Sequence, residues 1–585
     1  MRKNIGYVKK TRLKTKAGSK RRVNGNLPKA LWFIYPALYI FVIQFLAFGS
    51  VIKGFLNTVM NPYTFLLSYL IITGFSLVLW LFFENRWVSF SVLNLFGIII
   101  ALGNRFTIPQ GETGLAFNNL GIFNELGLIQ NANISAFIPF IIMLVIFMPI
   151  LYICIYFMHQ WKVGLKYRKT VAAVAFIVFM IFSQLIVPFI STSRTTLVNI
   201  DKLGVIVFFN NGFFGKDNIK YPDKSEIDAI MKKVEIKKDQ PITKPNIIML
   251  QLTNFVDIER VMNIKVDALN NYNNTFTEAS RFILDLSAKQ SDNLNTEFEV
   301  LAGLPIEFHP NEFQVRAGNT SEGTISLGGI LSKQGYDSLS ILPYAKNDRN
   351  DFYKKLSFDK FISEEDLGKG TSNEVLSEIK KQLTNSTEKN KPVFIYSHLN
   401  VLESKYEENT IDKYLQDLKS LDDQLAVLYQ IVLDTKEPTI VLLYSDNIPT
   451  LGVENKLYYD SGYLGTQDSN MELKQKVNSG DMMIWDNYNQ GSNYANGETF
   501  DLCSIPYLLL SEVDYPMPNY LQYFQYLKDN MRLSRISSDY LELSNVLFDK
   551  DTDEYKSLTK ELSVIVKDIL GPYKHVEENL KLWSK

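Results

Sequence analysis

The run NIIMLQL at Asn246–Leu252, followed directly by Thr253, Asn254 and Phe255, decides how this chain is read. A short apolar run that stops at small polar residues suits a strand buried on both faces, the kind found in parallel sheets. Similar runs recur at Ser338–Leu342, Val393–Leu399, Thr439–Tyr444 and Met482–Trp485. Helical patterns lie between them. The clearest covers 411–433, where Ile411, Tyr414, Leu415, Leu418, Leu421, Leu425, Leu428 and Val432 recur every three or four residues, opposite Asp412, Lys413, Asp417, Lys419, Asp422 and Asp423. Strands alternating with helices predict a mostly parallel sheet covered on both faces, with its ligand site at the carboxyl ends of the strands. No internal repeat is visible.

Upstream the chain changes character. Stretches 31–50, 62–83, 87–103, 134–158 and 171–191 contain no Asp, Glu, Lys or Arg. A spanning helix needs roughly 20 apolar residues to cross about 30 Å of hydrocarbon, so five spans are expected. A removable signal peptide does not fit, because the first span is long, starts late and is followed by others. Residues 1–30 carry 11 Lys and Arg and no acid, which predicts a cytoplasmic amino terminus in contact with anionic lipid. Five crossings then place the carboxyl-terminal half outside the cell.

The charge follows the same division. Residues 1–193 hold 18 Lys and Arg against Glu84, Glu112 and Glu125, whereas 194–585 hold 43 basic and 59 acidic residues. An acidic outer half argues against nucleic acid as a partner. Cys154 and Cys503 are the only cysteines, too few and too far apart for a disulfide framework or a Cys-ligated zinc site. The expected organisation is a basic tail at 1–30, five spans within 31–192, a connector at 193–240 and an extracellular α/β domain at 241–585. The aromatic patch VFFNNGFF at Val207–Phe214 is expected to rest on the membrane surface.

Several segments, in order, give the chain a resemblance to a known family: NIIMLQLTNF at 246–255, NTEFEVLAGLP at 295–305, LSKQGYDSLSILPYAKNDRNDFYKKLSFDKF at 331–361, YSHLNVLESKY at 396–406, TIVLLYSDN at 439–447 and IPYLLL at 505–510. The chain resembles the lipoteichoic acid synthases, Gram-positive membrane phosphoglycerol transferases whose outer domain has the sulfatase/alkaline phosphatase fold. The resemblance implies a divalent metal, usually manganese, held by a Glu at the first strand end, a Thr nucleophile and an Asp-His pair. It also implies a second His, a Trp and an Arg around the glycerol phosphate. A metal in that setting would activate the Thr hydroxyl and screen the phosphate.

Carried over residue by residue, the pattern departs almost everywhere. The Glu falls on Thr253, the nucleophile on Asn293, the Asp-His pair on Asp446 and Asn447, the second His on Lys405 and the Trp on Asn347, while Arg349 is retained. One carboxylate among amides and a hydroxyl does not offset the lost hydration of a divalent cation. A shift in register would offer Thr296, beside Glu297, as nucleophile, with the metal ligands still missing. His398 ends a strand, His159 flanks a span, and His309 and His575 have no partner at metal-site spacing.

The expected protein is therefore a catalytically inactive relative without a cofactor. It would bind or scaffold in cell-envelope assembly, and Arg349, Lys405, Asn347 and His398 would face a glycerol-phosphate polymer or an active envelope-synthesis protein. The alternative is an active phosphoglycerol transferase or phosphodiesterase that uses Mn2+ and acts on phosphatidylglycerol. A transporter is disfavoured, because the spans lack intramembrane charge and repeat symmetry.

Overall fold

The computed structural model describes residues 27–83, 85–107, 138–158, a few positions between 170 and 177, 204–210, 221–234 and most of 244–576. The chain divides into two compact units, Met1–Asn218 and Ile219–Lys585.

Among the described residues, four helices of the first unit are long and apolar enough to cross a membrane: α1 (Leu27–Phe48), α3 (Pro62–Phe83), α4 (Arg86–Thr107) and α5 (Ile138–Met158). A shorter helix, α2 (Val51–Met60), joins α1 to α3. The expected fifth span, 171–191, lies almost entirely outside the described residues, as do the basic tail up to 26 and the loop 159–169. Two buried tyrosines inside the bundle find hydrogen-bond partners, as apolar surroundings favour. Tyr35 donates to Asn94 at 2.6 Å and Tyr39 to the Leu93 carbonyl at 2.8 Å.

The first part of the aromatic patch belongs to this bundle. Val207 and Phe209 are buried in the same cluster as Tyr39 and Ile43, and Phe209 meets Phe96 edge-on at 5.5 Å. The expectation that the patch rests on the membrane surface is thereby corrected for these residues: their apolar side chains gain more by packing between helices than at a wet boundary. Residues 211–214 lie outside the description.

The second unit is built on an eight-stranded sheet. Its strands are β1 (Asn246–Leu252), β2 (Ser280–Asp285), β3 (Asp337–Ile341), β4 (Lys360–Ile362), β5 (Val393–Leu399), β7 (Thr439–Ser445), β9 (Ser479–Asp486) and β10 (Thr499–Asp501). They lie side by side in the order β10-β2-β9-β7-β1-β5-β3-β4. Only β9 runs antiparallel to its neighbours. A pair of two-residue strands, β6 (Lys405–Tyr406) and β8 (Thr450–Leu451), lies apart from it.

Alternate residues feed two cores. Ile248, Leu250 and Leu252 of β1 pack with α9 (Ser372–Lys389) and α10 (Asp412–Thr435), the helix expected at 411–433. Ile247 and Met249 face the other core, with α6 (Lys224–Met231), α7 (Asn293–Ala302), α8 (Asn347–Lys355), α11 (Ile505–Glu512), α12 (Asn519–Met531) and α13 (Asp553–Leu570). Within the expected connector, 204–210 therefore packs in the first unit and α6 in the second.

Candidate functional site

The carboxyl ends of β5, β1 and β7 lie side by side, with Gln251 in register with His398 on one side and Tyr444 on the other. Strand periodicity puts residues two apart on one face. Tyr396 and His398, Gln251 and Thr253, and Tyr444 and Asp446 thus form a row of polar groups over the core that contains α7 and α8.

These groups join in a closed circuit. His398 Nε2 lies 2.9 Å from the Tyr396 hydroxyl, which lies 2.9 Å from that of Tyr444, and Tyr444 donates to Gln251 Oε1 at 2.8 Å. Gln251 Nε2 donates to Thr253 Oγ1 at 3.3 Å, Thr253 bonds Tyr344, and the Tyr344 hydroxyl lies 3.3 Å from His398 Nδ1. One assignment of protons satisfies the whole ring: His398 carries its proton on Nε2, and each hydroxyl donates onward. Burial, reinforced by Arg349, holds the His398 imidazole well below its usual range, in its neutral form.

Asp446 hangs from this ring. Gln251 Nε2 donates to one carboxylate oxygen at 2.9 Å and the Asn254 backbone N–H to the other at 2.8 Å. Asn254 sits at φ 57°, in the left-handed region that Asn tolerates, and its side chain accepts from Asn447 Nδ2 at 3.2 Å and donates to the Leu402 carbonyl at 3.0 Å. Burial pushes the Asp446 carboxyl up to about 7, with the nearby Glu297 adding to the rise and backbone N–H groups opposing it.

Glu297 comes from α7 and is fully buried. Arg349 of α8 pairs with one of its oxygens and the Tyr353 hydroxyl donates to the other. The Arg349 guanidinium also lies over the Tyr344 ring, 4.4 Å from its centroid. Arg349 is thus committed to a side chain on the neighbouring helix, as charge and ring chemistry favour.

Of the residues expected at the site, the structure brings Thr253, Asp446, Asn447, His398 and Arg349 into this one assembly. Asn293 opens α7 and Asn347 opens α8, but their side chains lie outside the described residues. Thr296 is buried beside Glu297. Lys405 stands apart: it is mostly exposed and pairs with exposed Glu407 at 2.6 Å. Such a pair contributes little. Lys405→Ala is expected to leave hydrogen-exchange protection of β1, β5 and β7 unchanged, as read by mass spectrometry of the full-length protein.

The donor set does not suit a divalent metal. Both oxygens of Asp446 accept N–H groups, both ring nitrogens of His398 are engaged, Thr253 Oγ1 accepts from Gln251, and Asn447 turns its Nδ2 to Asn254. No group of three or more His, Cys, Asp or Glu is placed to hold a metal among the described residues.

Sequence reasoning missed Gln251, Asn254, Tyr344, Tyr353, Tyr396 and Tyr444 as members of the assembly. The signal was the period-two placing of polar residues at three neighbouring strand ends. It also missed a second polar recess, behind α7, where Glu299, Asp285, Glu307, Asp501, Tyr540 and Cys503 line one space.

With the geometry in place, comparison gives the class. Residues 294–502 match the sulfatase family. A putative cyclic beta-1,2-glucan modification protein of Rhizobium meliloti (strain 1021) is 25% identical over 274 residues, 41% of this chain and 41% of that protein. The match therefore spans less than half of that relative. Among solved structures, the phosphoglycerol transferase GacH of Streptococcus pyogenes, in complex with sn-glycerol-1-phosphate, aligns with a TM-score of 0.47 at 16% identity, covering 62% of this chain and 97% of that one. The lipoteichoic acid synthase LtaP of Listeria monocytogenes aligns with a TM-score of 0.44 at 13% identity, covering 61% and 98%. The second unit thus carries a mostly parallel sheet, and its residues 294–502 are similar to the sulfatase family, in line with the resemblance.

Proposed function

We propose that this is a lipoteichoic acid synthase-like membrane protein whose sulfatase-like domain is catalytically inactive and serves envelope assembly by binding or scaffolding. The observation that carries this reading is the closed hydrogen-bond circuit at the strand ends. Where the related enzymes are expected to present metal-binding carboxylate and imidazole, this chain presents amides and hydroxyls that satisfy one another, and a carboxyl whose ionisation burial disfavours. Each member of the ring is engaged by a neighbour, and one carboxyl among amides and hydroxyls offers a divalent cation little in exchange for its lost hydration. In this reading the domain lies outside the cell, and its partner is a glycerol-phosphate polymer or an active envelope-synthesis protein.

The test uses the full-length protein in phosphatidylglycerol-containing liposomes. Manganese is expected to bind far below one equivalent after gel filtration, and no diacylglycerol is expected to be released. Stoichiometric manganese together with diacylglycerol release would reject the proposal in favour of an active transferase.

A further inference from the structure

The short helix α2 offers the strongest unassigned surface. It is held to α1 by a narrow strip. Gly49 turns the chain at φ 62°, Ser50 caps the helix by accepting from the Lys53 N–H, and Gly54 and Thr58 are buried. A Cβ at Gly54 would come within 2.8 Å of the Phe45 ring and 3.0 Å of the Gln44 backbone, so only glycine allows this approach. Asn57 continues the strip and accepts from Gln44 Nε2 at 3.3 Å.

The rest of the helix is apolar and unpacked. Laid out at about 100° per residue, Val51, Phe55, Val59, Ile52, Leu56 and Met60 fill one continuous arc of roughly half the circumference. All six are exposed, Ile52 by 72% and Met60 by 75%. Lys53 follows at the edge of the arc. A surface helix of a soluble domain buries such an arc in its core; this one turns it outward.

The connections decide what covers it. Only Gly49 and Ser50 separate α2 from α1, and only Asn61 separates it from α3, and both neighbours are long and apolar enough to cross a membrane. At ten residues α2 is about 15 Å long, too short to span. Phe55 stacks with Phe41 at 5.9 Å, and Phe65 of α3 also meets Phe41 at 5.8 Å, so α2 lies beside the last turns of α1 at the level where α3 begins. Tyr63 and Leu66, in the first turns of α3, are exposed as well, so the apolar surface runs on from α2 into the span that follows it.

We infer that α2 is an interfacial helix, sunk in one leaflet with its apolar arc in the acyl chains and Lys53 at headgroup level, bound by the lipid surface and not by a protein partner. Burying six such side chains in hydrocarbon would fix the depth and tilt of α1 and α3 at this boundary.

The experiment places single cysteines at Ile52, Leu56 or Lys53 in a full-length Cys154→Ala/Cys503→Ala background, labelled with an environment-sensitive nitrobenzoxadiazole dye in phosphatidylcholine–phosphatidylglycerol vesicles. The 52 and 56 positions should emit to the blue of position 53 and be quenched by spin-labelled acyl chains at every protein-to-lipid ratio. Emission like that in water at 52 and 56, or the same emission at all three positions, would overturn the inference. So would a blue shift that disappears on dilution with lipid, because that outcome assigns the arc to a second copy of the chain. All the labelled positions are exposed, so the label itself does not threaten folding, and agreement between 52 and 56 controls for either one.

Discussion

Arg349→Ala should cost the second unit about 3–5 kcal/mol, the usual result of breaking one side of a buried ion pair. Glu297 is fully buried, and its carboxylate is held by the Arg349 guanidinium and the Tyr353 hydroxyl. Without Arg349 it must either stay charged in an apolar core or take up a proton. The expected readout is faster hydrogen exchange in peptides covering α7, β1 and β5 of the full-length protein, with peptides of α1 and α3 unaffected. Arg349→Lys keeps the charge but loses the planar face that lies on Tyr344, and is expected to fall between the two.

The same variant separates two roles for Arg349. A guanidinium free to grip a phosphate would leave stability within about 1 kcal/mol of wild type when removed, as mostly exposed charges do. The double variant Glu297→Leu/Arg349→Met removes the charge and its partner together and should recover much of the loss, because apolar replacement of a buried pair is often neutral. If the double variant is as unstable as the single one, the pair does not act as a unit. The position would then matter for shape alone.

The chain announced its sheet through composition more than through motif. The apolar runs at 246–252 and 393–399 have the same bounds as β1 and β5, strands buried along their whole length. β2, β4 and β10 escaped notice. SRFILD at 280–285 begins and ends on charged or polar residues, and β10 is three residues long at the sheet's edge. At the strand ends, the replaced residues Thr253 and Asn447 and the retained Asp446 were legible because each sits just past a recognisable strand. Glu297, Tyr344 and Tyr353 were not, because what joins them is tertiary: α7 and α8 arrive from different parts of the chain, and no local spacing encodes that Arg349 will meet Glu297. Lys405 is a different case. Its place in the segment order suggested the site, yet a two-residue strand carries it to the surface.

Asp446→Asn should change stability in a pH-dependent way whose sign distinguishes a plugged site from a metal site. In the folded protein the Asp446 carboxyl is raised to about 7 by burial, with Glu297 adding to it, against a usual value of 3.8. The folded state therefore holds the proton more tightly than the unfolded chain. Its contribution is fully present below about pH 4, shrinks as pH rises through 7 and is flat beyond that, a loss on the order of 4 kcal/mol at most. Asp285, also raised to about 7 by burial, loses stability over the same window in both proteins and cancels in the difference. The substituted amide has no proton to lose, and turning the Gln251 amide lets the ring accept its NH2 group. The variant should thus gain on wild type steadily from pH 4 to 7, followed by hydrogen exchange corrected for intrinsic rate. A carboxylate made for a cation would behave in reverse: ionised and bonded, it would make the Asn variant fall further behind as pH rises. A difference that stays level from pH 4 to 8 would mean that Asp446 titrates alike folded and unfolded, and that burial does not hold it neutral.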